Sequence, residues 1–65
     1  MPAVYRAVRP DRYGAWNEGD TCEVIGRATE AGDTLVCARF TTEELEISER
    51  LFHISFTKIR DGYRS

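Results

Sequence analysis

The sequence predicts a single small all-β domain of five short strands, and three features carry that expectation. Apolar and polar residues alternate over short runs, turn-forming residues separate the runs, and no long stretch shows one apolar stripe at helical spacing. With 65 residues the chain has room for one core and no internal repeat. A chain of this size buries only about 60% of the surface its unfolded form exposes, so a deep catalytic cleft is not expected.

Residues 3–9 read as the first strand, on Val4, Tyr5 and Val8, with Pro10 ending it because proline cannot donate to a sheet ladder. Residues 10–20 form a loop rich in turn residues, Pro10, Gly14, Asn17, Gly19 and Asp20, interrupted by the aromatics Tyr13 and Trp16. Residues 21–28 alternate as a half-buried strand should, with Cys22, Val24, Gly26 and Ala28 expected inward. Ala31-Gly32-Asp33 lies within a short hairpin connection, residues 29–33. Residues 34–40 follow as a third strand, with Val36, Ala38 and Phe40 inward and Cys37 outward.

Residues 41–59 admit two periods. Thr41-Thr42-Glu43-Glu44 matches a helix capping box. Wound at 100° per residue, however, Leu45, Phe52, Phe56 and Ile59 fall opposite Ile47, Leu51 and Ile54, so no surface helix forms over this stretch. At period two, Leu45 and Ile47 share a face, as do Phe52, Ile54 and Phe56, provided that the chain breaks between them. Ser48-Glu49-Arg50-Leu51 supplies the break as a single 3₁₀ turn, its serine placed to bond backbone N–H groups. Residues 60–65 are left as a frayed tail of the one domain, 1–65.

Composition narrows the function classes. Apolar residues at 42% and charged residues at 31% give the balance of a folded chain rather than a disordered one. No apolar run approaches the ~20 residues that span a bilayer. Met1-Pro2-Ala3-Val4-Tyr5 lacks the basic region and apolar core of a signal peptide, so a cytoplasmic protein without membrane contact is expected. Eight of the nine basic residues are Arg, a bias that suggests a GC-rich genome, bacterial or phage. The two cysteines are expected on opposite faces, as free thiols in a reducing compartment. With the lone His53 and no C-x-x-C pair they make no zinc set, and neither metal nor cofactor is expected.

Catalysis fails on inventory. His53, beside the inward Phe52 and Ile54, should face outward on a convex surface, where no dry cavity activates it. No phosphate-binding loop, dinucleotide fingerprint or H-E-x-x-H motif is present. The expectation is therefore no enzyme.

Five strands with a long first loop, a tight hairpin and a 3₁₀ turn before the last strand resemble the SH3-like small barrel. Gly19-Asp20-Thr21-Cys22-Glu23-Val24-Ile25 is similar to the G-D-x-V-x-V opening of barrels of the KOW and Tudor kind. Val36-Cys37-Ala38-Arg39-Phe40 and Leu45-Glu46-Ile47 are similar to their third and fourth strands. Arg9-Pro10-Asp11-Arg12-Tyr13 with Asn17-Glu18 is also similar to the start of the SH3-like peripheral subunit of photosystem I. That likeness implies docking of an acidic electron-transfer protein through Arg9 and Arg39. The inserted Gly14-Ala15, the acidic balance and the missing lysines depart from the pattern, so the likeness carries the fold and not the partner.

Three function classes follow. First comes a binding module for an unidentified protein, acting through a groove lined by Tyr13 and Trp16 together with an exposed edge strand; such rings attract proline-rich segments and cations. Trp16 equally admits a core role, folding over the open end of the barrel. The second class is nucleic-acid binding. Net charge is −2, but the ends are basic and the middle acidic, and Arg6, Arg9, Lys58 and Arg60, with Arg12 and Arg64, would form a cationic edge on adjacent terminal strands. A pI near 5.3 argues against it. The third is a structural or assembly subunit, homo-oligomeric or part of a phage particle or larger complex, through an apolar outer face holding Ile25, Leu35, Cys37 and Ile59. Glu43, Glu44, Glu46 and Glu49 read as a solvated edge that discourages aggregation.

Overall fold

The computed structural model describes residues 2–61. Arg64 and most of the tail expected to fray lie outside that range. Five antiparallel strands form one sheet in the order β4-β3-β2-β1-β5. They are β1 (Ala3–Ala7), β2 (Thr21–Glu30), β3 (Asp33–Arg39), β4 (Glu44–Ser48) and β5 (Phe56–Arg60), with one helix, α1 (Glu49–Ser55), between the last two. The expected all-β class with five strands is found. Among the described residues the sheet is open, with β4 and β5 as its edges. No helix of the described residues is long and apolar enough to cross a membrane.

β2 and β3 make a hairpin closed by Ala31 and Gly32, at φ of 52° and 84°. Two positive φ values are what a two-residue turn needs to match the right-handed twist of its strands. The turn is tighter than the sequence suggested, and β2 runs two residues further. β2 also departs from simple alternation. The register shifts between Val24 and Gly26, leaving Ile25 as the extra residue of a bulge. Before it, Val24 lies across from the buried Ala38; after it, Gly26 and Ala28 lie across from Cys37 and Leu35. The bulge thus moves Gly26 and Ala28 off the core face, correcting the expectation for the second half of this strand. Arg27 takes the position across from Val36 and pairs with Glu49 on α1 at 3.5 Å.

β3 and β4 follow their patterns. Val36 and Ala38 are fully buried and lie across from Ile47 and Leu45, so both strands turn the expected faces inward. Phe40 packs against the core from just beyond β3.

The C-terminal third needs the largest correction. The 3₁₀ turn at 48–51 and the strand through Phe52, Ile54 and Phe56 are instead a seven-residue α-helix, Glu49–Ser55, with β5 starting at Phe56. Ser48 stands at the N-cap without a side-chain capping bond, and Arg60 belongs to β5 and not to the tail. In a helix, positions 52, 55 and 56 fall on one side. Accordingly Phe52, Ser55 and Phe56 are buried, while Ile54 is 56% exposed. The Phe52 and Phe56 rings stack at 4.6 Å, and Tyr5 meets Phe52 edge-on at 4.8 Å. Burying two Phe side chains contributes roughly 1.5–3 kcal/mol each, and the helix keeps both inside while it turns Ile54 out.

Candidate functional site

The first loop is built from its own hydrogen bonds. At its base, Ala7 N donates to Asp20 O at 2.8 Å and Gly19 N to Ala7 O at 2.8 Å. β1 ends there, at Ala7, two residues before the proline-based limit. Within the loop, Asp11 Oδ2 accepts from Tyr13 N and Ala15 N at 3.2 and 3.0 Å, and Asp11 N donates to Trp16 O at 3.0 Å. Asp20 Oδ2 accepts from Asn17 N at 2.9 Å. Aspartate side chains of this kind stand in for backbone partners in a turn, which is how so irregular a loop stays ordered.

Trp16 is 4% exposed. Its ring lies parallel to Phe40 at 6.4 Å and tilted against Phe56 at 5.1 Å. Its Nε1–H donates to Arg9 O at 2.9 Å, so the polar end of the indole is satisfied, as a buried tryptophan requires. Tyr13 is 84% exposed, with the Arg12 guanidinium 5.4 Å above its ring. The two aromatics singled out in the sequence therefore occupy different environments, one in the core and one on the surface.

They nevertheless border a common hollow. A groove of about 240 Å³ runs between the loop and α1, lined by Arg9, Pro10, Asp11, Arg12, Tyr13, Trp16, Leu51, Ile54 and Ser55. Leu51 and Ile54 are 39% and 56% exposed and sit one turn apart on the helix, so together they present an apolar strip beside Tyr13. Sequence reasoning missed them as site residues because a strand reading assigned Ile54 to the core. A larger hollow, about 360 Å³, is lined by Gly19, Asp20, Thr41, Thr42 and Glu43 among others. Its small and polar walls offer little to hold a ligand, and the groove combines apolar side chains with a few polar groups as binding sites do.

The basic residues are dispersed. Tyr5 lies across from Lys58 and Arg6 across from Thr57; since neighbours along a strand alternate faces, Arg6 and Lys58 are on opposite faces of the sheet. Arg60 lies across from Val4, at the far end of β1 from Arg9. Lys58 Nζ is paired with Asp61 at 3.1 Å, and this hydrogen bond and charge hold its ammonium above the ordinary lysine range. Arg39 sits between Glu44 and Glu23 at 3.2 and 4.0 Å.

Cys22 is buried on β2 and Cys37 half-buried on β3, both as free thiols. Burial pushes the Cys22 thiol up to about 11, leaving it protonated and a poor nucleophile at neutral pH. His53 is exposed on α1. Among the described residues no three His, Cys, Asp or Glu side chains come together as a metal site would need. In comparisons with family models, curated proteins and solved structures, the chain matches none.

Proposed function

We propose that the chain is a small non-catalytic binding module, of the SH3-like kind, that receives a short segment of another protein in the groove between its first loop and α1. The observation that carries this reading is the exposed apolar strip of Leu51, Ile54 and Tyr13 around one groove, on a domain too small to leave such side chains outside without cost. At about 240 Å³ the groove falls below the ~300–1,000 Å³ usual for small-molecule cavities. It suits a side chain or two of an extended segment. The buried, protonated Cys22 thiol and the exposed His53 support a role without covalent chemistry. Two free thiols support a reducing, cytoplasmic setting.

Nucleic-acid binding has less support, because the register puts Arg6 and Lys58 on opposite faces of the β1–β5 pair and Arg60 across from Val4, at the end away from Arg9, where one phosphate backbone would not meet them together.

The test is capture of partners from the native cell on immobilised protein, comparing the unmodified chain with Tyr13→Ala and Ile54→Asp. Both side chains are exposed, so circular dichroism should show intact folding. The expected outcome is a protein retained by the unmodified chain and lost from Ile54→Asp, with a smaller loss for Tyr13→Ala. Equal retention by all three would show that the groove is not the contact. Trp16→Ala is unsuited to this test, since it removes part of the core.

A further inference from the structure

The groove between the first loop and α1 has charged as well as apolar walls. Its charged lining residues are Arg9, Asp11 and Arg12, and they do not cancel toward an incoming molecule. Asp11 is half-buried, and its Oδ2 accepts from Tyr13 N and Ala15 N at 3.2 and 3.0 Å, so this carboxylate is engaged within the loop. Arg9 and Arg12 are exposed, and among the described residues neither is ion-paired. The neighbouring acids lie elsewhere. Glu18 and Asp20 do not line the groove, and Glu49 on α1 pairs with Arg27 at 3.5 Å. A chain of net charge −2 thus sets two arginines beside its exposed apolar strip.

Resting on the groove being the contact, as proposed above, we infer that its occupant is an acidic apolar segment. This is a short extended stretch of another protein that lays one apolar side chain on Leu51 and Ile54 and sets a neighbouring carboxylate against Arg12 or Arg9. Charge selects this occupant over a basic one. The Arg12 guanidinium lies 5.4 Å above the Tyr13 ring, so one face of the exposed ring at the groove is covered by a cation of the chain itself. A lysine or arginine brought to the same ring meets repulsion. A carboxylate meets the opposite, since the guanidinium fork of N–H donors matches its two oxygens. The apolar contact supplies affinity in proportion to the area it removes from water, and the arginines at the rim decide which segments are accepted.

The experiment is a titration of the isotopically labelled full chain with short synthetic peptides, followed by NMR shifts, which register weak binding residue by residue. Each peptide carries one leucine, phenylalanine or tryptophan flanked by glutamates, by glutamines or by lysines, and an uncharged proline-rich peptide is included. Glutamate-flanked peptides are expected to shift the resonances of Tyr13, Leu51 and Ile54. They are expected to bind about tenfold more tightly than glutamine-flanked ones at low salt, the effect of two exposed ion pairs, and to lose that advantage at high salt. Arg9→Glu with Arg12→Glu is expected to invert the order, favouring lysine flanks. Ile54→Ser, which adds no charge, is expected to weaken every series alike. All three side chains are exposed, and circular dichroism checks that the variants fold. If glutamine-flanked, lysine-flanked or proline-rich peptides bind through the same residues as tightly as the acidic ones, or if the arginine variant keeps the original order, the acidic occupant is overturned while the groove stands as the contact. If no peptide shifts these resonances, or if Ile54→Ser leaves every affinity unchanged, the groove is overturned and its acidic occupant with it.

Discussion

The β2-β3-β4 meander and the end of the molecule formed by the first loop and α1 are held together in different ways. The meander rests on ladders between sequence neighbours, with Val36 across from Ile47 and Ala38 across from Leu45. The loop end rests on contacts between residues far apart. Trp16 packs on Phe40 and Phe56, Phe52 on Tyr5, and Val8 N donates to Ser55 O at 2.7 Å. The difference shows where a small domain concentrates its stability. Ladders give the meander its register, whereas most of the large side chains meet at the end that also carries the groove.

That contrast can be broken most directly with Phe52→Ala. Phe-to-Ala changes in cores cost about 3–5 kcal/mol, which matches roughly the 3–5 kcal/mol that the core of so small a domain supplies. Loss of the cooperative urea transition is expected. Val36→Ala, the counterpart in the meander, removes less apolar volume and should cost about 1.5–3 kcal/mol, leaving a folded population at low urea. If Val36→Ala unfolded the chain and Phe52→Ala did not, the meander and not the aromatic end would be the main source of stability.

A smaller effect is expected at Cys22, which is buried on β2. Its thiol rises from an ordinary 9.0 to about 11 on burial, so folding favours the protonated form. Below pH 9 the thiol is protonated in both states and the stability is complete. As pH climbs from 9 through 11, the unfolded chain loses its proton first, and stability falls by roughly 1–2 kcal/mol. Urea midpoints measured across that window should decline more steeply for the unmodified chain than for Cys22→Ala; parallel slopes would show that another group governs the alkaline loss.

The smallest expected effect concerns the hairpin. Ala31 holds a φ of 52°, where a side chain without hydrogen-bonding reach costs roughly 1–2 kcal/mol and asparagine is tolerated better. Ala31→Asn should raise the unfolding midpoint by the equivalent of about 0.5–1 kcal/mol. A lower midpoint would mean that the turn is not strained at this residue.

How much of this was legible follows the same division. β3 and β4 could be read from alternation alone, because the core lies on one face and no bulge intervenes. In β2 the pattern Cys22, Val24, Gly26, Ala28 was regular, yet the bulge at Ile25 reversed its second half. Gly26, an isolated glycine inside the strand, is the one residue that hints at a bulge, but only the partner strand sets where the register shifts. Leu45 to Ile59 gave no helical stripe because only residues 49–55 of that window are helical, and averaging a short helix with the strands on either side erased its period. Tyr13 and Trp16 stood out as aromatics in a turn-rich loop, but their separation into surface and core depends on Phe40 and Phe56, and Leu51 and Ile54 join the groove only once α1 forms.

From the residues alone come the strand class, the presence of a long first loop, the hairpin and the inward faces of β3 and β4. These depend on neighbours within a few positions, and alternation and turn chemistry record them directly. Folding in three dimensions decided the bulge in β2, the helix at 49–55, the burial of Trp16 and the open sheet. Each depends on which distant side chains compete for one small core, and a linear pattern carries no record of that competition.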